Sequence, residues 1–309
     1  MVQPPYTLAD LQNWRALPHE GAPIRLGVIG DPVEHSVSPQ MQNAALEACG
    51  LGMQYARFGI AHDELEEALR LMRGLDFIGV NFTLPHKIAS AALVDELDGF
   101  AHSVGAINAI RVEGEKLIGF NTDGPGFARA IRHEFAVDLG DLRVLLLGAG
   151  GGAGRAIAYQ CASENCERLV LVNRTAEKAE QLAAELKQSF ADTRVAGPVA
   201  RLQVIPWDEH ALRQQIANSD LVVNATSLGM RRSDPSAVSA SILAPHLMVY
   251  DTVYTRARTP LLIAAEEAGA RGANGLSMLL HQGALAFERW FDRDAPIDAM
   301  RAALTASAT

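Results

Sequence analysis

Two serines two residues apart, in the stretch GDPVEHSVSPQMQN, place the hydroxyls of Ser36 and Ser38 just after an apolar, β-type run. Two readings fit them. Ser38 before Pro39 makes a helix N-cap with proline at the first helical position, and a pair of hydroxyls beside a helix start also makes a clamp for a carboxylate. In GVNFTLPHK a strand ends, the chain turns at Pro85, and a helix is expected to carry Lys87 in its first turn. There the macrodipole disfavours a cation and presses the ammonium toward losing its proton. That suits proton transfer in an alcohol–ketone interconversion; a solvated surface lysine is the competing reading. GFNTDGPGF supplies Asp123. Its carboxylate either caps the helix that begins near Pro125 or, at the mouth of a cleft between domains, accepts from a substrate hydroxyl and pairs with Lys87. Asn81 and Asn108 lie toward the same end of their strands, where they read further hydroxyls or satisfy local turns.

A second group of residues points to a dinucleotide. LLLGAGGGAGRAIAYQ sets Gly148, Gly150, Gly151 and Gly152 directly after a strand and before a helix, where exposed N–H groups and a positive helix end meet a pyrophosphate. Ala153 takes the third glycine position of the G-x-G-x-x-G/A fingerprint. At the end of the next strand stand Asn173, Arg174 and Thr175, where a site for NAD would carry an acid to hold the ribose 2′-hydroxyl. Arg174, with Lys178 four residues on, attracts a 2′-phosphate instead, so NADP is the expected cofactor. DLVVNATSLGM ends a later strand with Asn224, Thr226 and Ser227, suited to a loop under the nicotinamide.

These residues need a scaffold that gathers them. From Pro23 the chain alternates β-rich and helical runs, from IRLGVIG to PHKIASAALVDEL, and a second alternating series starts at RVLLLG. Such alternation implies parallel sheets with crossover helices. AINAIRV and KLIGFN read as a hairpin turning at Glu113–Gly114–Glu115. The expectation is an α/β chain of two domains: residues 1–123 with 275–309 around a mixed, mainly parallel sheet that binds substrate, and 124–274 as a Rossmann-like NADP-binding domain. The amphipathic segment GLSMLLHQGALAFERWF should fold back onto the first domain.

A length of 309 residues, 49% apolar and 20% charged, fits about two globular domains. The net charge of −9, spread along the chain, argues against nucleic acid as a partner, and no apolar run is long enough for a bilayer. The first twenty residues lack the basic start and apolar stretch of a secretory signal. Three cysteines are too few for a disulfide framework, which fits a reducing cytoplasm. Cys161 and Cys166 are expected inside one helix at a spacing that keeps them from being neighbours, and no His or Cys pattern indicates a metal site.

Taken together, GDPVEHSVSP, GVNFTLPHK, SVGAINAI, GFNTDGPG, the GAGG turn with NRT after the next strand, NATS and GLSMLLHQGA resemble the shikimate dehydrogenase family in order and spacing, from about Arg25 to Trp290. The resemblance implies NADPH-dependent reversible reduction of 3-dehydroshikimate to shikimate. It implies that Ser36 and Ser38 bind the substrate carboxylate, and that Thr83, Lys87, Asn108, Asp123 and Gln282 contact its hydroxyls and ketone. Lys87 and Asp123 would be the catalytic pair, with Asn81 and Tyr254 near the substrate and Gly275 near the cofactor. The phosphate turn departs from the family's GAGGAxR by one extra residue before Arg155. Gln42, where many members have His, is expected to be peripheral. Two other readings are a quinate/shikimate dehydrogenase using NAD and an inactive nucleotide-responsive binding protein. Another two-domain dehydrogenase, of a folate-pathway kind, is disfavoured by the paired serines and the Gln282 helix. The partner is a small molecule, and the chain is expected as a monomer or homodimer.

Overall fold

The structure, a computed structural model, describes residues 4–18, 21–191, 200–231, 233–254 and 258–308. It divides into two compact units, Met1–Thr122 with Leu280–Thr309, and Asp123–Leu279.

In the first unit, α1 (Leu8–Gln12) precedes β1 (Ile24–Gly30), α2 (Ser38–Ala48), β2 (Gln54–Gly59), α3 (Leu65–Arg73) and β3 (Gly79–Phe82). Then follow β4 (Glu96–Leu97), α4 (Gly99–Val104), β5 (Ala109–Glu113) and β6 (Lys116–Phe120). The sheet runs β2-β1-β3-β5-β6-β4. Its β2-β1-β3 part is parallel, and β5 is antiparallel to both β3 and β6. The hairpin closes where Glu113 pairs with Lys116, and Gly114 takes the positive φ its tight turn requires. This topology has a consequence for chemistry. The C-terminal ends of β1, β3 and β6 and the N-terminal end of the reversed β5 all lie at one edge of the sheet, so residues from four distant stretches meet there.

The N-terminal segment is part of this unit's core. Trp14 and Tyr6 pack on Phe58, and Trp14 on Phe77, with ring centroids 5.4–5.8 Å apart. Tyr6 also bonds through its backbone to Arg57 and Gly59, which covers the outer edge of β2.

The second unit is built from α5 (Asp123–Phe135), β7 (Arg143–Leu147), α6 (Gly152–Ser163), β8 (Arg168–Val172), α7 (Ala176–Leu186), β9 (Leu202–Ile205), α8 (Glu209–Ile216), β10 (Leu221–Asn224), β11 (Met248–Asp251), α9 (Pro260–Glu267) and β12 (Arg271–Asn274). Its sheet, β12-β11-β10-β7-β8-β9, is parallel throughout. The four inner strands are almost wholly buried, as helices on both faces demand, whereas the edge strands β9 and β12 are partly open. This is the doubly wound order whose switch point lies between β7 and β10.

α10 (Leu276–Phe291) begins in the second unit and ends in the first, where α11 (Ile297–Ala308) packs on α2. Cys161 and Cys166 do not share a helix, contrary to expectation. Cys166 follows the end of α6, its N–H donates to the Cys161 carbonyl at 2.9 Å, and both thiols sit in one apolar cluster, where their mutual hydrogen bond and burial push the Cys161 thiol up. Among the described residues no helix is long and apolar enough to cross a membrane, and no group of three or more His, Cys, Asp or Glu could hold a metal ion.

Candidate active site

The serine loop leaves β1 at Gly30 and enters α2 at Ser38. The helix begins one residue earlier than a capping Ser38 requires: Val37 is the N-cap residue and contributes no side-chain bond, while Ser38 and Pro39 are the first helical residues. It is Ser36 whose Oγ accepts the Ser38 N–H, at 3.3 Å. Capping therefore accounts for Ser36, the hydroxyl it explained poorly from sequence, and leaves the Ser38 hydroxyl outside that role. Arg57 on β2 holds the loop from the sheet side, donating to the Ser36 carbonyl through Nε at 2.9 Å and Nη2 at 2.6 Å.

Beside this loop, Thr83 follows β3, its N–H donating to the Ile29 carbonyl at 2.9 Å, and the Asp31 N–H reaches the Leu84 carbonyl at 3.1 Å. Lys87 corrects the expected helix. It lies in a turn ahead of a short 3₁₀ segment, Ala89–Ala92, so it is not in the first turn of an α-helix as expected. What fixes Lys87 is its carbonyl, which accepts the Ile107 N–H at 2.8 Å. His86, fully buried, bonds through Nε2 to the Ile60 carbonyl at 2.9 Å, and burial lowers its imidazole pKa.

The polar centre of this edge is a network of buried amides. Asn108 Nδ2 donates to Thr122 Oγ1 at 2.8 Å and to Gln282 Oε1 at 3.1 Å, and its Oδ1 accepts the Thr122 N–H at 2.8 Å. Asn81 Nδ2 donates to the Asn108 carbonyl at 3.2 Å, and Asn81 Oδ1 accepts from the Tyr55 hydroxyl at 2.8 Å. Gln282 is thus drawn to Asn108, 174 positions away in the chain. Gln42 is fully buried rather than peripheral: its Nε2 donates to the Gly283 carbonyl at 2.9 Å, which ties α2 to α10 beside Gln282. Tyr55, Thr122 and Arg57 escaped the sequence reading. Only Arg57 carried a signal, a charge on a β-strand in phase with the inward Tyr55. Asp123 follows Thr122 directly, is buried, and opens α5 as the acid of its first turn.

In the second unit the glycine turn leaves β7 beside the loop that leaves β10, at the switch point. Gly148 has φ +82°, and a Cβ there would lie 2.6 Å from Thr226 Cγ2. The helix starts at Gly152 with Gly151 as its cap residue. Close packing of the helix on the turn, the third glycine's task, falls to Gly154 and not to Ala153: a Cβ on Gly154 would meet the Gly148 carbonyl oxygen at 2.2 Å. The additional residue in the turn thus shifts the fingerprint by one. Gly150 N–H donates to Asn173 Oδ1 at 3.2 Å, and Asn173 Nδ2 to the Thr175 carbonyl at 2.8 Å. Arg174 and Lys178 are exposed, and no carboxylate closes the end of β8. Arg155 turns to the helix layer instead, with Glu185 at 2.8 Å. Tyr159 donates to the same carboxylate at 2.9 Å, and burial with that bond pushes its hydroxyl up to about 12.

Asn224 and Thr226 form a closed set. Asn224 Oδ1 accepts the Thr226 hydroxyl at 2.7 Å, and Asn224 Nδ2 donates to Asp251 Oδ1 at 2.8 Å and to the Leu228 carbonyl at 3.1 Å. Asp251, pushed up by burial, also accepts from Thr259 Oγ1 at 2.6 Å. Asn224 therefore shapes the loop holding Ser227 from below. Tyr254 is half-buried, which raises its hydroxyl's pKa, and Gly275 donates to the Val253 carbonyl at 3.3 Å. A turn of glycines that side chains would fill, with Asn173 and Arg174 rather than an acid at the end of β8, fits a dinucleotide bearing a 2′-phosphate.

Three family models match: a shikimate dehydrogenase substrate binding domain over residues 28–110, a shikimate/quinate 5-dehydrogenase over 130–249, and a shikimate 5′-dehydrogenase C-terminal domain over 275–305. The chain is 43% identical to shikimate dehydrogenase (NADP(+)) of Methanopyrus kandleri, covering 90% of this chain and 94% of that one. It is 40% identical to the enzyme of the same name from Geobacter sulfurreducens, over 94% and 99% of the two. Among solved structures, shikimate 5-dehydrogenase from Thermus thermophilus in complex with NADP(H) and shikimate has TM-score 0.80 at 34% identity, covering 92% of this chain and 99% of that one. Quinate dehydrogenase from Corynebacterium glutamicum in complex with NAD has TM-score 0.79 at 28% identity, over 92% and 99%.

Proposed function

This chain belongs to the shikimate dehydrogenase family, and from that membership we infer that it is an NADP-dependent oxidoreductase catalysing the reversible reduction of 3-dehydroshikimate to shikimate, on the route to chorismate and the aromatic amino acids. The observation that carries this reading to the residue level is the edge of the first sheet, where the serine loop, Lys87 and the Asn81–Asn108–Gln282 network come together.

In this reading the hydroxyls of Ser36 and Ser38 hold the substrate carboxylate. Thr83, Asn108 and Gln282 read the ring hydroxyls, with Asn81 fixing Asn108 and Tyr254 lying near the substrate. The amides are oriented before substrate arrives, so little freedom is lost on binding. When bound, NADPH supplies the hydride. Gly152 and Ala153, in the first turn of α6, would face its pyrophosphate with backbone N–H groups; Gly148, Gly150 and Gly151, whose N–H groups bond Val172, Asn173 and Gly148, would let the turn come close to it, and Gly154 would keep the helix near the turn. Arg174 and Lys178 would take the 2′-phosphate, with Asn173 and Thr175 setting their backbone. Thr226, Ser227 and Gly275 would line the nicotinamide side, with Asn224 shaping their loop.

Lys87 carries the proton. As charge develops on the carbonyl oxygen its ammonium donates, directly or through water, and in the oxidising direction its neutral amine accepts. Asp123 is assigned with Lys87 to the catalytic pair. We place the enzyme in the cytoplasm as a monomer or homodimer and assign 1–123 with 275–309 to substrate and 124–274 to NADP.

Initial rates at 340 nm with shikimate or quinate, each with NADP⁺ or NAD⁺, test the reading. The expected result is a clear preference for shikimate with NADP⁺. Preference for quinate with NAD⁺ would make the chain a quinate dehydrogenase, and no activity in any combination would make it a binding protein.

A further inference from the structure

Arg57 stands on β2 two residues from Tyr55, on the face opposite Phe58, where a charged side chain is out of place unless it has work to do. Besides its two bonds to the Ser36 carbonyl, its Nη2 donates to Gln40 Oε1 at 3.0 Å. The guanidinium thus joins the strand to the serine loop and to the first turn of α2. It is half-buried, and loss of solvation lowers its pKa. Among the described residues no carboxylate forms an ion pair with it, and the first turn of α2 contains no acid. The neighbouring helix end is itself positive, which makes the place still less favourable for a cation. Two positive features meet at this loop, and neither of the loop's own acids, Asp31 and Glu34, forms an ion pair with Arg57 among the described residues.

We propose that Arg57 is a positioning residue that sets the serine loop and supplies the positive charge against which Ser36 and Ser38 bind the substrate carboxylate. The inference rests on the functional reading above. Serine hydroxyls donate to a carboxylate without offsetting its negative charge; a guanidinium behind the loop adds the opposite charge. Tyr6 contributes by donating its N–H to the Arg57 carbonyl at 2.9 Å, which fixes the strand from its other edge.

Shikimate and its methyl ester, which lacks the charge, separate the electrostatic role from a purely structural one. Calorimetric titration of each into the wild type, Arg57→Gln and Arg57→Lys, together with turnover of shikimate, makes the test. Arg57→Gln should weaken binding of the acid by ~10–100-fold, leave the ester within about threefold, and raise the shikimate KM far more than it lowers kcat. Arg57→Lys, which keeps the charge, should retain most of the preference for acid over ester. Equal losses for acid and ester in Arg57→Gln, no loss for either, or loss of the preference in Arg57→Lys would each overturn the proposal. A wild type that binds shikimate without oxidising it would overturn the functional reading and leave the Arg57 comparison intact. A wild type that binds neither compound overturns both.

Discussion

The Lys87 carbonyl accepts the Ile107 N–H, which ties the turn through the backbone to the segment entering β5. Lys87→Ala should lower kcat by ~10²–10⁴ and change the shikimate KM little, since a proton donor acts mainly in the transition state. Rates at 340 nm with saturating NADP⁺ check this; turnover within tenfold of wild type would remove Lys87 as the donor. Arg174 permits a separable test, because Asn173 and not Arg174 braces the glycine turn. Arg174→Asp should weaken NADP⁺ binding by ~10–100-fold and improve NAD⁺, as a carboxylate repels the 2′-phosphate and accepts from a ribose hydroxyl. Unchanged KM values for both cofactors would exclude a phosphate role. At this scale the sequence was legible in residue type and only partly in assignment. The Ser-x-Ser pair was plain to read, but which hydroxyl caps depends on a helix start that moved by one residue, from Ser38 as cap to Val37. Tyr55 and Thr122 were invisible, because only the register of the sheet brings them to Asn81 and Asn108.

The glycine turn and the PHK turn show what a linear pattern can and cannot specify about an element. Strand, turn and helix around Gly148 follow from composition, yet the packing contact belongs to Gly154 because its Cα approaches the Gly148 carbonyl, a relation spacing alone does not encode. Gly154→Ala would force a methyl group to within 2.2 Å of that oxygen, so α6 must retreat from the turn. An overpacked backbone contact costs ~1–3 kcal/mol. NADP⁺ affinity should fall about tenfold or more while shikimate binding is retained, as titration of each ligand would reveal; unaltered NADP⁺ affinity would mean that the helix position is irrelevant to the cofactor. The run after Pro85 reads as a helix from its alanines and spacing. It stops short because neighbouring segments take its groups: Ile107 uses the Lys87 carbonyl, and the Ile60 carbonyl holds the His86 ring.

For the molecule as a whole, alternation of strand and helix was enough to foresee two α/β units, since each buried strand must be covered by a crossover helix. Return of the C-terminal amphipathic helix to the first unit was expected from its want of a strand partner, but no local pattern announces that Gln282 will bond Asn108 or that Gln42 will bond Gly283. Long-range ties of this sort also set how the second unit responds to acid. Asp220, just before β10, receives the Arg143 N–H at 2.9 Å and the Arg143 guanidinium at 2.8 and 2.5 Å, which locks the starts of β7 and β10 together. Hydrogen bonding from the Arg143 side chain is the main cause holding the Asp220 carboxyl below its ordinary value, with burial opposing. A depressed carboxyl stabilises the fold fully above the unfolded carboxyl's range, near ~3.9, and its contribution disappears as pH falls through the folded value. Because the arginine is partly open to solvent, Asp220→Asn should cost only ~1 kcal/mol at pH 7, or about 2–4 °C in the Tm of this unit. Calorimetry at pH 7 and at pH 3 tests the sign. The gap between wild type and variant should narrow at the lower pH, where the wild-type carboxyl starts to take up its proton; a gap of equal size at both would show that the charge of Asp220 contributes nothing to the link between the two strands.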